Sequence, residues 1–145
     1  MNNATVKLLS TFHTAAYVLT GGKIGSRLVN NDMCLVTTTG ARSGRPHTVP
    51  LLYLKDGDRL VLIASYGGRT HHPAWFHNLI AHPDATVQIG NERRQVTART
   101  ADAVERAEWW PRIVAAYPDY DVYQSRTDRE IPVVFLDPRN SDNVA

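Results

Sequence analysis

Two short turn signals limit most strongly what this chain can fold into. Asp56-Gly57 and Gly90-Asn91 each stand between apolar or β-branched runs, the sequence pattern of a tight β-hairpin. His47 to Lys55 and Leu60 to Ser65 flank the first turn, and Ala85 to Ile89 and Gln95 to Arg99 flank the second. Met33 to Thr39, ending at Gly40, reads as a further strand, and Ile131 to Leu136 as a last one. Leu60 to Ser65 runs without polar interruption, which predicts a strand buried on both faces. Pro50 lies inside the His47–Lys55 run and has no N–H for a ladder, so that strand is expected at a sheet edge or with a bulge.

Helical spacing appears in three places. Val6, Leu8, Leu9, Phe12, Ala15, Ala16 and Leu19 form a stripe over 5–20 that Gly21-Gly22 stops. That stripe can cap the core, or it can lie on a membrane surface or over a ligand mouth. Pro73 to His82 reads as a short helix with proline at its first position and Pro83 beyond its end. On it Trp75 and Leu79 share a face, as do Phe76 and Ile80. Asp102 followed by Glu105 is a capping-box start, and that helix runs toward Trp110, where Pro111 is expected to kink or restart it. From Asp137 onward a polar tail is expected to fray. Strands and helices do not alternate one by one, which argues against a parallel doubly wound sheet. An antiparallel barrel or curled sheet with helices on its outside fits the order.

The 145 residues suit one domain over 1–145, and 43% hydrophobic with 21% charged residues is an ordinary globular balance. A net charge of +2 with scattered basic residues gives no stripe for nucleic acid, so no nucleic-acid partner is expected. The single cysteine, Cys34, sits in the apolar run Met33–Val36 and reads as core packing in a reducing compartment. No stretch approaches the roughly 20 apolar residues of a membrane span, and the start lacks a secretion-signal pattern. A cytoplasmic protein is expected, with peripheral membrane contact through the first helix as the alternative.

Three motifs bear on chemistry. In Thr39-Gly40-Ala41-Arg42-Ser43-Gly44-Arg45-Pro46 the glycines let successive N–H groups turn into one concavity, while Arg42, Arg45 and the Ser43 hydroxyl suit a phosphate. A plain surface connection explains the same composition equally well, and the loop is not a P-loop, because the Gly-Lys-Ser/Thr ending is missing. His71-His72-Pro73-Ala74-Trp75-Phe76-His77-Asn78, with His82 beyond, offers helical histidines five apart rather than four, which argues against zinc. Tyr117, Tyr120 and Tyr123 can wall a pocket and offer hydroxyls to a carbonyl, or simply pack in the core. No nucleophile elbow and no carboxylate pair in an apolar setting is present, so the reactivity of any enzyme here would come from a cofactor.

Taken together, these segments resemble the deazaflavin-dependent nitroreductase family of coenzyme F-420-dependent oxidoreductases. The matching stretches are Leu35-Val36-Thr37-Thr38-Thr39-Gly40-Ala41-Arg42-Ser43-Gly44-Arg45-Pro46, Val49-Pro50-Leu51 and Ala64-Ser65-Tyr66-Gly67-Gly68. Further on come His72-Pro73-Ala74-Trp75-Phe76-His77-Asn78-Leu79, Tyr117-Pro118-Asp119-Tyr120 and Thr127-Asp128-Arg129-Glu130-Ile131-Pro132. Each fragment is unspecific alone. Their ordered set covers the chain from the first helix to about Pro138.

The resemblance implies an α+β, mainly β, split β-barrel of the FMN-binding-like type, with the 8-hydroxy-5-deazaflavin coenzyme F-420 in a groove. By position it implies that Arg42 and Ser43, helped by His47, hold the coenzyme's phosphate. Thr48, Val49, Pro50, Leu51 and Leu52 would run beside the ring and its side chain, and Ile63, Ala64, Ser65 and Tyr66 would meet the ring edge. Ala74, Trp75, Phe76, His77 and Asn78 would close the opposite wall. Tyr117, Tyr120 and Tyr123 would bind the substrate, a small quinone, enone or nitroaromatic compound, with Tyr120 as a candidate proton donor. Ala41, His47 and Tyr66 depart from the family's expected pattern, and the first two reduce the positive field for an anionic tail. A non-catalytic F-420 carrier and an FMN-dependent reductase are the alternatives.

Overall fold

The computed structural model describes residues 33–139. Its strands are β1 (Met33–Thr39), β2 (Pro46–Leu52), β3 (Leu54–Asp56), β4 (Arg59–Ile63), β5 (Asp84–Ile89), β6 (Glu92–Thr100) and β7 (Val133–Pro138). Its helices are α1 (Ala74–Ala81), α2 (Ala103–Ala116) and α3 (Asp119–Ser125), with one 3-10 turn at Tyr66–Gly68. The expected first helix over 5–20 lies outside the described residues.

All pairings are antiparallel, in the order β2-β1-β5-β6-β7-β4-β3. β2 and β3 therefore stand at opposite ends of the sheet, yet only Tyr53 separates them in the chain. One residue spans less than 4 Å, so the two edges must meet and the sheet must curl. The result is a barrel split between β2 and β3, the mainly β architecture that the sequence predicts. Both hairpins fall where expected, with Gly57 at φ +62° and Gly90 at φ +59°, a region that costs glycine little.

Side chains alternate across the curled sheet. Cys34, Val36, Leu60, Leu62, Val87, Val96, Val134 and Leu136 fill the inside together with Trp75, Phe76 and Leu79 of α1. Val61, Ile63, Val133 and Phe135 point outward and are covered by Trp109 and Ile113 of α2, Tyr120 of α3, and Ile131. β4 is thus buried on both faces, as its uninterrupted apolar run predicts. Cutting any of the fully buried aliphatic residues here back to alanine should cost about 2–5 kcal/mol. Pro50 sits on the edge strand β2, opposite Leu35. Burial pushes the Cys34 thiol up to about 12, so it packs as a small apolar group and offers no thiolate.

Several boundaries differ from expectation. The His47–Lys55 run is two strands, because the chain changes edge at Tyr53. Ala64 and Ser65 lie past the end of β4. Pro73 caps α1 with extended dihedrals rather than occupying its first turn, and Ile80 is 60% exposed although Phe76, four residues earlier, is buried. Pro111 interrupts nothing, for α2 continues to Ala116 with Trp109 and Ile113 anchored on either side of the proline. The capping box holds, with Asp102 accepting from the Glu105 N–H and Glu105 accepting from the Asp102 N–H. The last strand starts at Val133 because the Ile131 N–H is given to the Gln124 side chain. Asp137 and Pro138 pair with Thr97 and Val96 instead of fraying, and Asp137 also binds Arg59 at 2.8 Å.

Candidate functional site

Two cavities open on the split side of the barrel. The larger, about 880 Å³, is walled by the β1–β2 loop (Gly40, Ala41, Arg42, Ser43), by His47 and Val49 of β2, and by Ala74, Trp75, His77 and Asn78 of α1. The smaller, about 490 Å³, lies between Leu52, Ser65 and Gly67 on one side and Tyr117, Tyr120 and Tyr123 on the other.

The loop's shape follows from its hydrogen bonds. Gly40 N–H donates to Arg45 O at 2.8 Å and Gly44 N–H to Gly40 O at 3.0 Å, which folds 40–45 into a tight arch. The Ala41 N–H is given to Asn78 Oδ1 at 2.9 Å, and Asn78 Nδ2 donates to Thr38 Oγ1 at 3.0 Å. The N–H groups of Arg42 and Ser43 have no acceptor among the described residues. Ser43 Oγ stands 3.5 Å from His47 Nε2 and accepts the Arg45 N–H at 3.2 Å. A Cβ on Gly40 would collide with Ser43 Oγ and lie 2.9 Å from His47 Nε2, so that close approach requires glycine. No carboxylate lines this cavity. Free backbone donors, a hydroxyl, an imidazole and a guanidinium around a roomy concavity fit a phosphate group.

The tyrosines form one cluster. Tyr117 closes α2, Pro118 caps α3, and Tyr120 and Tyr123 lie on α3. The Tyr117–Tyr120 and Tyr120–Tyr123 centroids are each 5.9 Å apart, and both pairs meet edge to face. Tyr120 is 6% exposed, and burial, followed by its tyrosine neighbours, pushes its pKa up, so its phenol stays protonated and can only donate or accept a hydrogen bond. Its hydroxyl has no hydrogen-bond partner among the described residues. Every fully buried polar side-chain atom among those residues does have one. The Tyr120 oxygen is therefore not fully buried, and its residue lines the smaller cavity.

The structure brings together Arg42, Ser43, His47, Val49, Ala74, Trp75, His77 and Asn78 around one cavity, and Leu52, Ser65, Tyr117, Tyr120 and Tyr123 around the other. β2 contributes to both cavities from opposite faces: Val49 packs toward the inner core, whereas Leu52 lies on the other face against Met33 and Leu35. Strand alternation divides the rest of the expected β2 stretch. Leu51 packs inside the barrel, Thr48 faces Thr37 with their hydroxyls 2.7 Å apart, and Pro50 opposes Leu35 on the outer side. Ile63, Ala64 and Phe76 are core residues whose side chains line neither cavity. Tyr66 is half-buried, set edge-on to His71 with Arg69 over its ring. The histidines gather no metal site among the described residues. Sequence reasoning assigned no role to Arg129, which reaches Ser65 across 64 positions. Its only signal was membership in the Thr127–Pro132 stretch.

Fold and cavities together define a split-barrel protein with a cavity suited to an anionic group and a separate tyrosine-walled cleft. The family model of the F420H(2)-dependent quinone reductases matches residues 9–138, and the chain belongs to that family. F420H(2)-dependent quinone reductase Rv1261c of Mycobacterium tuberculosis is 39% identical over 135 residues, covering 90% of this chain and 91% of that protein. Among solved structures, an F420-H2 dependent reductase (FDR-A) is similar with TM-score 0.67 and 41% identity, over 73% of this chain and 94% of its own. Another, described as a domain-swapped dimer, has TM-score 0.70 and 36% identity over 88% of this chain and 96% of its own.

Proposed function

We propose that this protein binds reduced coenzyme F-420 and uses it to reduce quinones, with enones and nitroaromatic compounds as further acceptors. The observation that supports this most is the pairing of an anion-binding arch with a tyrosine-walled cleft along one strand. Arg42, Ser43 and His47 hold the phosphate, and Val49 and Trp75 flank the side chain leading from it. Leu52 and Ser65 would meet the ring, and Tyr117, Tyr120 and Tyr123 would hold the acceptor on its open side. When bound, the coenzyme supplies a hydride.

The protein's own contribution is placement and polarisation. Hydride transfer would need donor and acceptor carbons roughly 3–3.5 Å apart, and Leu52 and Ser65 opposite the tyrosines of α2 and α3 would be the walls that hold them so. The Tyr120 hydroxyl donates to the acceptor oxygen on which negative charge grows. Its raised pKa makes it a hydrogen-bond donor rather than an acid, so the final proton comes from water. A bare carrier has no use for an open phenol facing a second cavity.

The test is titration of the purified protein with oxidised F-420 and, separately, with FMN, followed by turnover of reduced F-420 with menadione. Saturable F-420 binding and coenzyme oxidation above the uncatalysed rate are expected. Binding without turnover would favour a coenzyme carrier. Binding of FMN in preference to F-420 would move the protein to the flavin-dependent split barrels.

A further inference from the structure

Ser65, which lines the tyrosine cleft, and Tyr66 after it each carry a backbone N–H without an acceptor among the described residues. Ser65 has right-handed helical dihedrals (φ −74°, ψ −38°), and Tyr66 follows at φ +47°. A right-handed residue followed by a left-handed one turns successive N–H groups toward one concavity that suits negative charge. Neither N–H has an acceptor among the described residues, although Ser65 is 8% exposed. A main-chain donor at so buried a position ordinarily has a partner.

The carbonyls of the same two peptide groups are both held by one guanidinium. Arg129 donates through one terminal nitrogen to Ala64 O at 3.2 Å and through the other to Ser65 O at 2.6 Å. Its Nε donates to Arg69 O at 2.8 Å, and a terminal nitrogen lies 2.9 Å from His72 Nδ1. Arginine has no acceptor, so His72 must be the acceptor, and its imidazole is neutral with the proton on Nε2. No carboxylate pairs with Arg129 among the described residues. Behind it, Gln124 of α3 donates to the Arg129 carbonyl at 2.8 Å, which ties the same residue to the helix bearing Tyr120 and Tyr123.

We propose that Arg129 is a positioning residue of the reaction: it fixes and polarises the Ala64–Ser65 and Ser65–Tyr66 peptide groups so that their N–H groups grip a negatively charged oxygen in the cleft. The inference rests on the coenzyme reading above. Both peptide bonds are trans, so each N–H points away from its own carbonyl and hence away from Arg129. A cation on the carbonyl side strengthens the donor on the other side of the same amide. The oxygen belongs either to the coenzyme's ring or to the acceptor that receives the hydride.

Wild-type protein, Arg129→Ala and Arg129→Lys are compared in three measurements: the Kd for oxidised F-420, kcat and KM with reduced F-420 and menadione, and Tm. Each is repeated with millimolar guanidinium chloride. Arg129→Ala should lose about 10- to 100-fold, by analogy with removal of an oxyanion donor. The loss falls on Kd if the ring supplies the oxygen and on kcat if the acceptor does. Guanidinium should restore part of it. Arg129→Lys, whose single ammonium cannot span both carbonyls, should retain the wild-type Tm more closely yet still lose about 10-fold or more, which keeps the test decisive if the alanine variant does not fold. Folded variants with wild-type Kd, kcat and KM overturn the inference, as do losses that guanidinium leaves unchanged and that track Tm alone. A wild-type protein that neither binds nor oxidises F-420 overturns the parent reading and this one with it. Active wild type beside unaffected variants overturns this one alone.

Discussion

Asn78 accepts the Ala41 N–H at 2.9 Å, so a buried amide on α1 sets the position of the arginine–serine arch. Its Nδ2 is bound to Thr38 on β1 at 3.0 Å, which makes Asn78 a strut between helix, strand and loop. Its oxygen is therefore already engaged, and its contribution to coenzyme binding runs mainly through the loop. Asn78→Ala should weaken F-420 binding by about 10-fold, one lost alignment of two donors, and cost about 1–3 kcal/mol of stability for the orphaned partners. Fluorescence titration and denaturant unfolding measure the two effects separately. An intact Kd beside a lowered stability would show that the arch holds its shape without the strut.

Tyr120→Phe should behave in the opposite way. The hydroxyl makes no hydrogen bond among the described residues, so stability should stay within about 0.5 kcal/mol. The coenzyme Kd should be unchanged as well. Turnover with menadione should fall by about 100-fold, the usual scale for one donor to a developing oxyanion. Unchanged kcat in a variant that binds normally would remove Tyr120 from the chemistry.

An acid-dependent part of the stability is built into the start of α2. Glu105 donates nothing and accepts from both Arg99 terminal nitrogens, at 2.7 and 2.8 Å, and from the Asp102 N–H. The Arg99 bond chiefly, then the Asp102 N–H, holds its carboxyl down at about 2, from a usual 4.5. A folded pKa below the unfolded one stabilises fully above about 4.5, and that stabilisation disappears as pH falls toward 2. Glu105→Gln should therefore have a lower Tm than wild type at pH 7, and the gap should shrink steeply as pH falls from about 4.5 toward 2. A gap of constant size across that range would mean that the charge is not its source.

Most of the β architecture could be read from the chain because its signals are local. Asp56-Gly57 and Gly90-Asn91 mark turns through a single left-handed glycine each, and Asp102 with Glu105 marks a helix start through contacts three residues apart. Features set by distant contacts could not be read. The switch at Tyr53 depends on the sheet closing on itself, and the extension of β7 through Pro138 depends on β6 and on Arg59. For the site, residue types and order identified the arch and the tyrosines, but strand alternation sorted the contiguous stretch at 48–52 onto two faces. The Asn78–Ala41 and Arg129–Ser65 bonds span 37 and 64 positions, and no local pattern encodes them.

Gly40→Ala tests whether the arch itself grips the anion. The change adds one methyl group at a position where Ser43 Oγ and the His47 ring already occupy the space a Cβ would take. Both neighbours are exposed side chains, so they can swing outward, and the sheet should keep its stability to within about 1 kcal/mol. Once displaced, Ser43 Oγ no longer supports the Arg45 N–H, and the hydroxyl and imidazole no longer converge on one point. Coenzyme affinity should fall by about 10-fold or more, and inorganic phosphate should compete less well for the site. Tyrosine-cleft chemistry at saturating coenzyme should be unaffected, because Gly40 lines only the other cavity. Lower kcat at saturation with unchanged Kd would place the anion somewhere other than this loop.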